Sequence, residues 1–108
     1  MNKLTNEQIK EFWEWCGLMK EGSFWHEPSG KQLSEETPKP NLENLFKWPV
    51  PKLQEKGYQI DIVCFEGGKF EVTVLGVTAA TEIISDIRSN DLVDALFWAI
   101  WEVIKEGK

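Results

Sequence analysis

Ile9, Phe12, Trp13 and Cys16 recur at helical spacing, while Glu7, Lys10, Glu11 and Glu14 fall on the opposite side. Thr5 stands before this run with Gln8 three residues on, the spacing of a capping box. Leu4 and Ile9 occupy the positions of a hydrophobic staple, and Gly17 supplies a left-handed residue to end the helix. The pattern predicts a helix over 5–16. Beyond it, 22–36 reads as a β-hairpin. Ser23 to Glu27 is strand-like, Pro28-Ser29-Gly30 is turn chemistry, and Lys31 to Glu35 returns as a charged edge strand.

Thr37-Pro38-Lys39-Pro40 breaks the chain before a second helical pattern made by Leu42, Leu45, Phe46, Val50 and Leu53. Asn41 offers its cap and Gly57 its end, but Pro49 and Pro51 interrupt it, so an interrupted helix is expected between 42 and 56. Residues 58–65 and 69–77 are rich in β-branched and aromatic side chains and flank Gly67-Gly68, which suits a two-residue hairpin turn. That turn sets Phe65 opposite Phe70, Val63 opposite Val72 and Asp61 opposite Val74, an almost wholly apolar face expected to carry the main core. The other face pairs Cys64 with Glu71, Ile62 with Thr73 and Ile60 with Leu75.

Residues 78–89 fit either a short strand near Glu82 to Ser85 or an irregular loop. The last helix, capped by Ser89 or Asn90, carries Leu92, Leu96, Ala99, Ile100, Val103 and Ile104 on one face. Phe97, Trp98 and Trp101 widen that face, which predicts burial on two sides, by the sheet and by a second surface. The elements together predict an α+β fold in one domain over 1–108: two helical layers around a mainly antiparallel sheet of about four strands.

The residues also carry a resemblance. Asn44-Leu45-Phe46-Lys47 with Val50-Pro51-Lys52-Leu53, the central hairpin, and the ending Ala95-Leu96-Phe97-Trp98-Ala99-Ile100-Trp101-Glu102-Val103-Ile104 resemble the phage ABA-sandwich domain proteins, small proteins of phages and prophages. Phe12 to Gly17 and Trp25 to Gly30 are similar to the N-terminal part of that family. The resemblance covers most of the chain and rests on aromatic and turn positions. It implies a helix–sheet–helix (ABA) sandwich and a phage or prophage origin, and no particular activity.

Charge and chemistry narrow the function. Twelve Lys and Arg against eighteen Asp and Glu give a net charge of -6, which argues against general nucleic-acid binding. No apolar run approaches the roughly 18 residues of a membrane span, and the N-terminus lacks the apolar stretch of a secretory signal. A cytoplasmic protein with free thiols is expected, in the host cytoplasm if it is phage-encoded. One histidine and two cysteines make no metal-ligand cluster, and no cofactor is expected. Cys16 and Cys64, on a helix and a central strand, read as inert core thiols; a cysteine enzyme would need one of them beside His26.

Two features stand out. Six tryptophans, at 13, 15, 25, 48, 98 and 101, are many for the interior of so short a chain. Trp98 and Trp101 are candidates for a contact between copies in a homo-oligomer; Trp25 and Trp48 are candidates for stacking a planar ligand. The single arginine, Arg88, stands just before the last helix. It either bridges to Glu82, Asp86 or Asp91 or receives an anionic group. These residues frame one hypothesis, a non-catalytic phage protein that sequesters a nucleotide-derived signal of host defence. Trp25, His26 and Trp48 would line the base, and Arg88, Lys31 and Lys47 would meet phosphate. The alternative is an acidic inhibitor that binds a host protein directly.

Overall fold

The computed structural model describes residues 4–76 and 83–106. Among these residues are four helices and five strands, an α+β fold that divides into two compact units, 2–40 and 41–108.

The first unit begins with helix α1 (Asn6–Trp15). The Thr5 hydroxyl accepts from the Gln8 amide at 3.1 Å, and the Gln8 side chain accepts from the Thr5 amide at 3.0 Å. This reciprocal cap satisfies two of the amide donors that a helix start leaves free. Phe12 and Trp13 are buried and meet edge to face at 5.1 Å, and the Trp13 indole donates to the Pro38 carbonyl at 2.7 Å. Strands β1 (Met19–Glu21) and β2 (Phe24–His26) pair antiparallel, with Glu21 opposite Phe24.

The expected hairpin is therefore displaced toward the N-terminus. Trp25 still exchanges backbone bonds with Leu33 and Ser34, and Glu27 accepts from Gly30, so the Pro28–Gly30 turn is present. The return segment, however, forms only a single bridge, His26 to Gln32, instead of a strand over 31–35. β1, whose residues are all exposed, takes the strand role on the other edge of β2.

The second unit carries the longer elements. α2 (Leu42–Lys47) is capped by the Asn41 side chain, which accepts from the Asn44 amide at 2.9 Å. Trp48 then breaks the helix and Pro49 opens α3 (Pro49–Glu55), where a missing N–H costs nothing. The interruption expected from the two prolines is thus one break, placed at Trp48.

Strands β3 (Gln59–Phe65), β4 (Lys69–Leu75) and β5 (Ile83–Ser89) form an antiparallel sheet in the order β3-β4-β5. Residues 78–82 of the ambiguous segment, and Val77, lie outside the described residues. The expected register is off by one. Phe65 pairs with Lys69, Ile62 with Val72 and Ile60 with Val74. The connection has three residues, Glu66-Gly67-Gly68, with both glycines at positive φ (85 and 75) where a side chain would be strained. A one-residue shift exchanges the faces of β3 relative to β4. Val72 and Val74 are buried as expected, but Ile60 and Ile62 share their face, and Val63 and Phe65 turn to the other side.

α4 (Leu92–Lys105) packs on β4 and β5. Its cap is Asp91 rather than Ser89 or Asn90: the carboxylate accepts from the Val93 and Asp94 amides at 2.9 and 3.4 Å, while Ser89 accepts from the Asp91 amide at 3.1 Å. Ala95, Leu96, Phe97, Ala99, Ile100, Trp101 and Val103 are buried. The three-stranded sheet and the separate hairpin replace the single sheet of about four strands.

Candidate functional site

Alternation along β3, β4 and β5 gives the sheet of the second unit two unlike faces. Ile60, Ile62, Val72, Val74, Ser85 and Ile87 lie on the α4 side. The opposite face is built in cross-strand rows. Val63, Glu71 and Arg88 form one; Asp61, Thr73 and Asp86 form the next; Phe65 and Lys69 stand beside the turn. Val63 and Phe65 are 43% and 44% exposed.

Polar contacts organise this face. Arg88 Nε donates to Glu71 Oε2 at 2.9 Å, and the guanidinium carbon lies 5.5 Å from the centre of the Phe65 ring. Thr73 Oγ1 donates to Asp86 Oδ1 at 3.3 Å, and Gln59 Nε2 donates to Asp61 Oδ1 at 2.9 Å. The Arg88 hydrogen bond holds the Glu71 carboxyl below its usual range. Burial, and then the hydrogen bond to Glu71, push the Asp86 carboxyl above its own. The two neighbouring carboxyls are thus shifted in opposite directions by one hydrogen-bonded network.

At the start of α4 an open cavity of about 610 Å³ is lined by Lys69, Arg88, Ser89, Asn90, Asp91 and Asp94. The volume suits a small ligand. Its chemistry is mixed. Asp91 already occupies the Val93 and Asp94 amides, Glu71 holds Arg88, and Asp91 and Asp94 place two carboxylates on the wall. Lys69 is the remaining positive charge among the lining residues, so an anion would gain little here.

The residues expected to form a ligand site are distributed differently. Trp25, on β2, is 1% exposed, so its ring offers no surface for stacking; it is a core residue of the first unit. His26 follows it on the strand and is half-buried, and Lys31 is exposed beyond the turn. In the second unit Trp48 is half-buried at the α2–α3 junction, with the Lys47 ammonium 5.1 Å from its ring. Arg88 lies within β5, not in a loop, and its carboxylate partner among the described residues is Glu71 across the ladder rather than Asp86 or Asp91; Glu82, the third expected partner, lies outside the described residues.

The interface candidates divide too. Trp101 is only 7% exposed and stacks on Phe97 at 6.3 Å, so its burial requires no second copy. Trp98 is half-buried, edge to face with Phe97 at 5.5 Å. Cys16 is buried as expected, whereas Cys64 is exposed on edge strand β3, not in the core. Among the described residues no three His, Cys, Asp or Glu side chains gather as a metal site, and no helix is long and apolar enough to cross a membrane.

Sequence reasoning missed Phe65, Lys69, Glu71, Thr73 and Asp86 as one surface. A signal was present: Lys69, Glu71 and Thr73 alternate with Phe70, Val72 and Val74, which marks one face of β4 as polar. The register hid which β3 residues share it. No family model, curated protein or solved structure matches the chain.

Proposed function

We propose that this chain is a non-catalytic binding module of phage or prophage type that engages a host protein through the face of its three-stranded sheet opposite α4. The observation that carries the reading is the exposure of Val63 and Phe65 side by side with Arg88 and Lys69 on that face. An aromatic and a β-branched side chain left open beside a guanidinium is the composition of a protein-interface anchor. The partner is a surface presenting an apolar side chain flanked by a carboxylate, which Lys69 would meet. The net charge of -6 steers a basic partner toward the molecule over longer range.

The resemblance to phage ABA-sandwich domain proteins supports the phage origin and a helix–sheet–helix layering; a counter-defence role in the host cytoplasm is the reading of a phage protein that holds a host partner. In that layering α4 is one helical layer, and the bound partner supplies cover on the other side at Val63 and Phe65. The non-catalytic reading is supported by placement: the neighbouring carboxyls Glu71 and Asp86 do not line the cavity at the start of α4.

A second reading, sequestration of a nucleotide-derived ligand, has one observation in its favour, the cavity of about 610 Å³ beside Lys69 and Arg88. Native mass spectrometry of the tagged protein recovered from infected or prophage-bearing cells separates the two. The first reading expects a protein bound at fixed stoichiometry, lost in a Val63→Asp, Phe65→Asp variant that still folds. A retained mass in the nucleotide range, kept by that variant and lost in Lys69→Glu, would overturn it in favour of the second.

A further inference from the structure

The sheet of the second unit has two edges, β3 and β5, and no described strand pairs with the free side of either. Exposed edges are templates for pairing, and proteins guard them with lysine, proline or bulges. β5, Ile-Ile-Ser-Asp-Ile-Arg-Ser, has neither lysine nor proline, and its one irregularity against β4 lies at Ile84, leaving 85–89 regular. Its two charges, Asp86 and Arg88, stand on either side of Ile87.

Two copies of one strand pairing antiparallel about a two-fold axis place the residue on the axis opposite itself, and residues equally far from it opposite each other. Two registers keep both charges of β5 paired within Ile83–Ser89. Centring on Asp86 sets that carboxylate against its own copy. Centring on Ile87 sets Asp86 of each copy opposite Arg88 of the other, twice, with Ser85 opposite Ser89. Opposite charges directly across a ladder stabilise it and like charges oppose it. β3 lacks this property, because Asp61 is its single charged residue and has no cation to meet.

We propose that the free edge of β5 is a homodimer seam, in which two copies pair antiparallel about Ile87 with reciprocal Asp86–Arg88 contacts and join their sheets into six strands. The guanidinium has donors to spare: the Glu71 bond uses Nε, and the side chain is 71% exposed. Asp86, partly desolvated and beside Glu71, gains a second cation from the facing copy. The seam uses the strand edge and leaves Val63 and Phe65 free; Arg88 belongs to both surfaces, so dimerisation and partner binding are read by separate measurements.

Sedimentation across a concentration series, on wild type, Asp86→Arg, Arg88→Asp and an equimolar mixture of the two variants, tests the seam. Wild type forms a reversible dimer. Each variant alone sets like charges across the axis twice and weakens the dimer by roughly 30-fold. The mixture recovers a heterodimer, because both arginines of one variant face both aspartates of the other. Wild type remaining monomeric to about 200 µM, or variants dimerising as tightly as wild type, would overturn the seam. So would two folded variants that fail to recover on mixing. Should Arg88→Asp fail to fold, hydrogen exchange on wild type decides: amides of 85–89 exchange more slowly as concentration rises, and concentration-independent exchange overturns the proposal.

Discussion

The two faces of the β3-β4-β5 sheet use the same three strands for opposite ends. On the α4 side Val72 and Val74 are fully buried and Ser85 nearly so. On the other side Val63 and Phe65 are open, and the neighbouring positions carry Asp61, Glu71, Asp86, Lys69 and Arg88. A strand reverses side-chain direction at every residue, so adjacent positions are free to serve the fold and to serve recognition. The price of that economy is register sensitivity: a slip of one residue in β3 would carry Phe65 to the covered side and expose Ile60 and Ile62.

Substitutions that separate the faces differ in size. Phe97→Ala removes a fully buried ring of α4, in contact with Trp98 and Trp101, and should lower unfolding free energy by about 3–5 kcal/mol, read by urea or thermal unfolding. A loss below about 1 kcal/mol would mean that α4 does not anchor the covered face. Asp91→Ala frees two amides at the start of the same helix and should cost about 1 kcal/mol, with Asp91→Asn recovering most of it.

Glu71→Gln tests the open face through pH. The Arg88 bond lowers the Glu71 pKa, so wild type holds a stabilising contribution above the ordinary glutamate range and loses it as pH falls through the lowered value. The variant should therefore melt below wild type at neutral pH, and the gap should close in acid. Asp86, shifted up, contributes with the opposite sign: its stabilisation is present below the ordinary aspartate range and lost as pH rises through the raised value. Asp86→Asn, measured in dilute protein, should accordingly gain a little at neutral pH and lose that gain in acid. The smallest effect on stability belongs to Phe65→Ser, within about 0.5 kcal/mol as for other exposed positions, although this variant should lose the partner.

Local chemistry in the sequence was enough to place the first three helices, whereas for α4 it set the cap one or two residues before Asp91. Thr5 with Gln8, Asn41, and Pro49 each act within four residues of themselves, and each stands where such a short-range rule places it. The sheet depends on longer-range terms. Gly67-Gly68 marks a turn but not whether its loop has two residues or three, and that single residue decided which side chains of β3 are covered. β1 was missed because Met19-Lys20-Glu21 is exposed throughout and shows no alternation of apolar and polar positions. Of the candidate site, Arg88 was recognised as a special cation, but its partner Glu71 lies 17 residues away and becomes visible only with the β4–β5 register. Trp25 misled because tryptophan beside a turn has the same residue signature whether its ring enters the core or faces solvent.

The division of labour between the two faces is tested most directly by site-specific photo-crosslinking in the cells where the protein acts. A benzoyl-phenylalanine placed at Phe65 is compared with one at Glu55, an exposed position of α3 in the same unit. The account predicts a discrete protein adduct from position 65 that is absent from position 55. No adduct at 65, or the same adducts from both positions, would contradict the assignment of the open sheet face as the binding surface.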